Sequence, residues 1–594
     1  MRTERDDVAG AATEDSGIRL YSQYVQVDDG TRVAVTTWRP DAEGDSQRRP
    51  AAFLFHRYWR ATASESTDAA GQRLYPLAKA LSRRGFVLVS CDARGSGASF
   101  GTRHSEPPPQ EAADICTLID WVSRQSWCDG RVASFGTSYT AGSALLGLRG
   151  SSDALRGVVC RAPDLDDYRG GACPGGIVNT FIYQGYGEHL AALDRNESPD
   201  SAGGAGPGVR RVDDDVDGTM LAAALAEHAS NVRVQAPQDL LVCADDPAEG
   251  ESRRTVEQIG ILFQLQGRIR TDVPIICRVG WHDAGTTRGA LMMFRALANP
   301  IHLLIGPWSH TGAYHADPLA PGNGTTATAV PDGQEYESIA ESLESLVDGA
   351  RDLAAVRQVS YCTLGENRWK ETTVWPPAGS VMRRLYLGPG GSLTYDAPTT
   401  SIDCDRYRVD PESGTGADNR WHTQMTGPVL FPDRRDADRR LLTYDSEPLA
   451  APLEITGHPV VRLQLSADRR DAQVFVYLEA VTPDGTVRLL TEGQLRACHR
   501  HISLEKPRFQ PFGPYHSFYR HDLKALEPGR VTSFHFELFP VSVQLPMGWR
   551  LRVAIAGADK DVFAAIPGCE APELTIMRSA TAASWIDLPI VVRT

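Results

Sequence analysis

Three residues of the 594-residue chain have the types and surroundings of a nucleophile, its base and the acid that orients the base. Ser138 lies in Val132-Ala133-Ser134-Phe135-Gly136-Thr137-Ser138-Tyr139-Thr140-Ala141-Gly142, where a strand-like run meets small residues that suit a helix start. A serine on such a turn holds its hydroxyl clear of the backbone. The N–H of the next residue, Tyr139, then faces the place where an oxyanion would form. Thr140 stands where the usual second glycine of G-x-S-x-G belongs, and by itself the segment reads equally well as a helix-capping serine. The partners decide between the two. Asp283 follows the apolar run Pro274–Val279 in Gly280-Trp281-His282-Asp283, and His310 follows His302–Ile305 in Gly306-Pro307-Trp308-Ser309-His310. Each sits just past the C-terminal end of a strand, and in a parallel sheet those ends share one edge. Asp283 would hold His310 in the right tautomer, and His310 would take the proton of Ser138; the chemistry is acyl transfer.

The order Ser, Asp, His is that of α/β-hydrolases. His282 is the rival base, but neighbours on an extended segment point apart, so it would face away from Asp283. His56 and His104 precede Ser138 and read as polar contacts away from the chemistry.

The elements that must position these residues follow from periodicity. Ala51–Phe55, Phe86–Cys91, Arg131–Phe135 and Gly157–Cys160 are short strand-like runs, separated by helical patterns over 73–84, 112–124 and 140–148. Strands alternating with helices predict a parallel α/β sheet covered on both faces. The alternation lapses from Asp164 to Gln266 and then resumes, which predicts a helical cap inserted between two strands. From about Ser380, period-two runs such as Val460–Leu465, Val474–Leu478 and Ser533–Leu538 take over, separated by turns such as Pro483-Asp484-Gly485. They predict an all-β sandwich or jelly roll. The expected organisation is a solvated tail over 1–17, the α/β domain over 18–163 and 267–379, the cap over 164–266 and the β domain over 380–594.

Composition removes other classes. A net charge of −14, from 61 basic and 75 acidic residues, argues against nucleic acid as a partner. No run approaches 18 apolar residues, so no membrane span is expected. The charged N-terminus carries no secretory signal, which reads as a cytoplasmic protein. The eleven cysteines form no C-x-x-C pair, so neither a zinc site nor a disulfide framework is expected. Asp213–Gly218 imitates the start of a calcium loop, but Ala224 stands where the bidentate glutamate must be. No metal or cofactor is expected. A large β surface is compatible with self-association, which nothing in the sequence specifies.

Beyond the triad segments, Cys91-Asp92-Ala93-Arg94-Gly95-Ser96-Gly97, Trp127-Cys128-Asp129-Gly130-Arg131-Val132 and Tyr444-Asp445-Ser446-Glu447-Pro448-Leu449 carry a wider resemblance. From about residue 20 to the C-terminus the chain resembles the cocaine-esterase-like and X-Pro dipeptidyl-peptidase-like serine hydrolases. The resemblance implies an α/β-hydrolase domain with an inserted helical cap and a C-terminal jelly roll. It also implies that Tyr58 supplies a second oxyanion donor beside the Tyr139 N–H, although Arg57 stands where the family usually has proline. Relatives acting on α-amino acid esters carry acids shortly after the triad aspartate. Here Ala284-Gly285-Thr286-Thr287 follows, which counts against an α-amino-acyl substrate. Asp164, Asp166 and Asp167 at the start of the cap could supply such a charge instead, but read first as solvated loop carboxylates. Trp59, Trp281, Trp308 and Tyr139 are expected to line the pocket. The function expected is hydrolysis of a small-molecule ester or amide. The alternatives are an acyltransferase or cyclase on the same triad, then an X-Pro dipeptidyl-peptidase or a non-catalytic binding protein.

Overall fold

The computed structural model describes residues 17–592 apart from 41–46, 64–68, 199–206, 238–239, 251–252, 320–326, 332, 350–355, 418, 426 and 569, and the statements below concern the described residues. The apolar runs of the first half become strands of one sheet. These are β1 (Ile18–Gln26), β2 (Arg32–Pro40), β3 (Arg49–His56), β4 (Val87–Asp92), β5 (Cys128–Thr137), β6 (Leu155–Arg161), β7 (Ile275–Gly280) and β8 (Ile301–Gly306). A two-residue ladder follows, β9 (Tyr314–His315) with β10 (Thr328–Ala329). Then β11 (Arg357–Thr363) and β12 (Arg368–Thr372) complete the sheet in the order β1-β2-β4-β3-β5-β6-β7-β8-β11-β12. From β4 across to β11 the strands run parallel, while β1, β2 and β12 close the two edges antiparallel.

The parallel strands are apolar on both faces because helices cover both. On one face α1 (Tyr75–Arg83) sets Leu77 and Leu81 on Leu54 and Leu88, and a later helix, Gln334–Val347, adds Leu343 and Leu346. On the other face α2 (Glu111–Ser123), α3 (Tyr139–Leu146) and a helix at Thr286–Ala296 bury Ile115, Leu145 and Met293 against Phe53, Val89 and Val158. Phe53 and Leu54 thus serve opposite cores, as side-chain alternation along a strand requires.

Between β6 and β7 the chain leaves the sheet. It forms α4 (Thr180–Asp194), α5 (Thr219–His228) and two short turns, α6 (Val256–Ile259) and α7 (Ile261–Gln264). Asn179 caps α4 by accepting from Ile182 N at 3.1 Å, and Thr255 with Gln258 forms a capping box on α6. The acidic run near 213–217 serves the backbone: Asp213 accepts from Ser22 N at 2.8 Å and Asp215 from Met220 N at 3.0 Å.

From Ser380 to Val591 the chain is all β, thirteen strands that pair antiparallel except for one short parallel contact. This β domain packs against the α/β domain, from Glu537 to Arg288 of the helix Thr286–Ala296 at 2.7 Å and from Ser542 O to Leu364 N, just past β11, at 2.9 Å. No helix is long and apolar enough to cross a membrane.

Candidate active site

The turn between β5 and α3 carries Ser138 at φ +61° and ψ −129°, a backbone conformation that costs a residue with a Cβ about 1–3 kcal/mol. Two neighbours hold it there. A Cβ on Gly136 would lie 2.2 Å from Thr140 O, so only glycine lets strand and helix pass this closely. Thr140 turns its hydroxyl back into the turn, where it accepts from Thr137 N at 2.6 Å and lies 2.7 Å from Thr137 O. The threonine that broke the expected glycine pattern therefore ties the elbow. Ser138 thus stands as the N-cap of α3, whose first residue is Tyr139.

His310 and Asp283 meet as the strand order predicted. His310 Nδ1 lies 2.9 Å from Asp283 Oδ1 and 3.0 Å from Oδ2. Asp283 is fully buried, and its oxygens also accept from Thr423 Oγ1 at 2.9 Å and from Thr286 Oγ1 at 3.0 Å. Burial pushes the His310 imidazole down, but the Asp283 charge outweighs it and the net displacement is upward. His282 turns away, as expected: it is buried, its Nε2 contacts Leu490 O at 2.7 Å, and burial with the Arg420 charge lowers it to about 3.

Ser138 and His310 open on one cavity of about 660 Å³, with Tyr58, Asp164, Tyr183 and Met425 also on its walls. The cap helix α4 supplies Tyr183, and the β domain supplies Met425. Tyr58 is enclosed, which raises its phenol, and its hydroxyl lies 3.3 Å from Tyr186 Oη. Arg57 does not fill the cavity. Its guanidinium is buried 3.5 Å from the Tyr139 ring centroid, paired with Glu106 and 3.7 Å from Glu111. Glu111 in turn accepts from Tyr139 Oη at 2.7 Å. The Tyr139 ring is thus held between Arg57 and Glu111, and Tyr139 is among the residues lining the cavity.

Of the expected pocket tryptophans, Trp59 lines the cavity and two do not. Trp281 is buried in the core, donating to Cys362 O at 2.7 Å and packing on Trp375. Trp308 packs against Arg278 and Trp369. Both follow strand ends, but their side chains turn back over the sheet.

Asp164 is not a solvated loop carboxylate. It lines the cavity, where Ser138 Oγ donates to its Oδ2 at 3.3 Å and Gln424 Nε2 to its Oδ1 at 3.2 Å. Burial raises its carboxyl, as it does that of Asp167, which is open to the cavity, enclosed elsewhere and raised to about 7. Asp166 instead lies 3.4 Å from Arg169 in an ion pair. Thr423, Gln424 and Met425 are not marked by any motif in the sequence. One group of potential metal ligands is present, Cys243, Asp245 and Asp246, with ligand atoms within 4.8 Å. Its charge is already met, since both Asp246 oxygens accept from Arg520 at 2.7 Å.

Comparison with known proteins places this geometry. The family model of the X-Pro dipeptidyl-peptidase (S15 family) matches residues 29–312, and that of the X-Pro dipeptidyl-peptidase C-terminal non-catalytic domain matches 354–583. A Mycobacterium tuberculosis protein whose name proposes a serine esterase is 36% identical over 610 aligned positions, covering 97% of this chain and 96% of the relative. The chain belongs to the S15 family of serine hydrolases. Another relative, the cocaine esterase of a Rhodococcus strain, is 28% identical over 80% of this chain and 82% of its own. Among solved structures, an aminopeptidase from a marine-sediment thaumarchaeon superposes with a TM-score of 0.73 at 18% identity, covering 99% of both chains. An α-amino acid ester hydrolase gives 0.70 at 19%, covering 99% of this chain and all of the other. These two share the S15 chain's fold: an α/β-hydrolase domain followed by an all-β domain.

Proposed function

We propose that this chain hydrolyses a small-molecule ester or amide through an acyl-enzyme on Ser138, with His310 as base and Asp283 as its orienting acid. The carrying observation is that Ser138, on its positive-φ elbow, opens on the same cavity as His310, whose Nδ1 is held by Asp283. The Ser138 hydroxyl turns from Asp164 to His310 Nε2 and gives up its proton as Oγ attacks the carbonyl carbon. The Tyr139 N–H and the Tyr58 hydroxyl take the resulting oxyanion, where loss of one such donor typically costs ~100- to 1,000-fold in rate. On collapse the acyl–leaving-group bond breaks and His310 returns the proton to the leaving oxygen or nitrogen. Water, deprotonated by the same imidazole, then releases the acid.

Asp283 is followed by no carboxylate within the next four residues, so the loop offers no partner for a substrate ammonium. The carboxylates on the cavity are Asp164 and Asp167 instead, and burial pushes both toward the neutral form, so an ester lacking an α-amino group is the substrate class favoured. The test is labelling with a fluorophosphonate and location of the label by mass spectrometry. Label on Ser138 that disappears in Ser138→Ala, with loss of p-nitrophenyl acetate hydrolysis, is the expected result. Folded protein that takes no label sinks the mechanism.

A further inference from the structure

We infer that Thr423, on the β domain, is a positioning residue for the proposed triad: its hydroxyl donates to Asp283 Oδ1 and fixes the plane in which the carboxylate meets His310. This rests on the triad reading and deepens it.

Asp283 is a carboxylate with no access to water, so each oxygen needs a protein donor. His310 Nδ1 sits nearly midway between the two oxygens, at 2.9 and 3.0 Å, and leaves one further position to fill on each. Thr286, at the start of the helix that follows Asp283, fills the position on Oδ2 at 3.0 Å. Thr423 fills the one on Oδ1 at 2.9 Å. One threonine comes from the hydrolase domain, the other from a different domain nearly 140 residues later in the chain. Thr423 is itself fully buried, so no water can take over its bond. Its Oγ1 also lies 2.7 Å from Arg420 O. Between a neutral carbonyl and a carboxylate, the single hydroxyl hydrogen favours the carboxylate, because charge-assisted bonds are about twice as strong.

The segment carrying Thr423 is registered to the Asp283 loop by more than this one bond. Ala284 N donates to Arg420 O at 3.0 Å, and Arg420 Nη1 donates back to Ala284 O at 3.0 Å. Ala284 holds φ +40°, a strained value that survives only where its surroundings dictate it. Arg420 is anchored 3.5 Å from Glu492, which also accepts from Trp421 Nε1 at 2.9 Å. The β domain thus places backbone, cation and hydroxyl around one carboxylate, inside the stretch whose family description is non-catalytic.

The charged groups facing the His310–Asp283 pair are Asp164 and Arg161 beside His310 and Arg420 beside Asp283. Thr423→Val leaves all three in place and removes only the O–H. A carboxylate that loses a donor holds a neighbouring imidazolium more strongly, so the acid limb of the pH profile moves up. It also loses its fixed plane, so productive alignment becomes rarer.

The experiment measures the second-order rate of Ser138 labelling by a fluorophosphonate against pH, in the full chain and in Thr423→Val and Thr423→Ser. Thr423→Val is expected to label about tenfold more slowly at the plateau, with its acid limb shifted upward, a loss typical of removing a support one bond from the chemistry. Thr423→Ser, which keeps the hydroxyl, recovers most of that loss. Should the valine variant not fold, Thr423→Ala carries the same expectation. The inference is overturned if the valine or alanine variant labels at the parent rate with an unshifted limb, or if serine is as slow as valine. Absence of label on Ser138 in the parent is a different outcome: it removes the triad reading itself, and with it the inference.

Discussion

At the scale of single residues, the cavity poses an electrostatic question that the triad alone does not. Two carboxylates, Asp283 and Asp164, flank His310, and each favours its protonated form, while Arg161 and burial oppose it. The net displacement is upward. In the proposed mechanism His310 works as a base only when neutral, so activity is lost as pH falls through its raised value. The acid limb of kcat/KM for p-nitrophenyl acetate is therefore expected above the ordinary histidine value of about 6.5. Asp164→Asn removes one of the two anions and should move that limb down, toward lower pH, which a pH–rate profile of both proteins checks. An unmoved limb would mean that Asp164 does not act on His310. The same substitution leaves one acceptor oxygen where the carboxylate had two, so the Ser138 hydroxyl and Gln424 compete for it.

At the scale of elements, the elbow shows how a sequence pattern can fail while the structure it stands for persists. Thr140 occupies a glycine position, and its hydroxyl meets both polar groups of Thr137 inside the turn. Thr140→Val keeps the shape and strands the Thr137 N–H, which should cost ~1–3 kcal/mol of stability, read as a lower denaturation midpoint. The alternation of strands and helices, and the strand ends that carry Ser138, Asp283 and His310, are legible because the pattern repeats through six of the seven parallel strands, β11 being the one it does not mark. The direction of a side chain just past a strand is not written in any period. Trp281 and Trp308 were therefore assigned to the cavity, whereas both fold back on the sheet. Asp164 was misread because three acids in four residues resemble a solvated loop, and only the approach of Ser138 and Gln424 reveals which one faces inward. Thr423 sits in an irregular stretch whose meaning depends wholly on a partner 140 residues away.

At the scale of the molecule, the cavity is a joint product: sheet edge, cap helix and β domain each contribute wall. Met425 comes from the β domain, lines the cavity and packs on α4 at Gly185, where an added Cβ would lie 3.4 Å from its Cε. Met425→Trp should leave KM for p-nitrophenyl acetate near its parent value. It should raise KM for a long-chain p-nitrophenyl ester about tenfold, since pocket volume discriminates on that scale per added group. Equal KM changes for both esters would place Met425 outside the acyl path.

The joint cavity also sets a clock. Ser138 leaves the ribosome long before the segment that closes the wall and braces Asp283, with about 300 residues between them. At synthesis rates of ~5–20 residues per second, that interval is on the order of 15 to 60 s. Through it the nascent chain holds the proposed nucleophile, then the proposed base, without the last wall of the pocket. Enzymatic competence thus arrives as a late event in the life of each molecule, after the hydrolase sheet has had time to form.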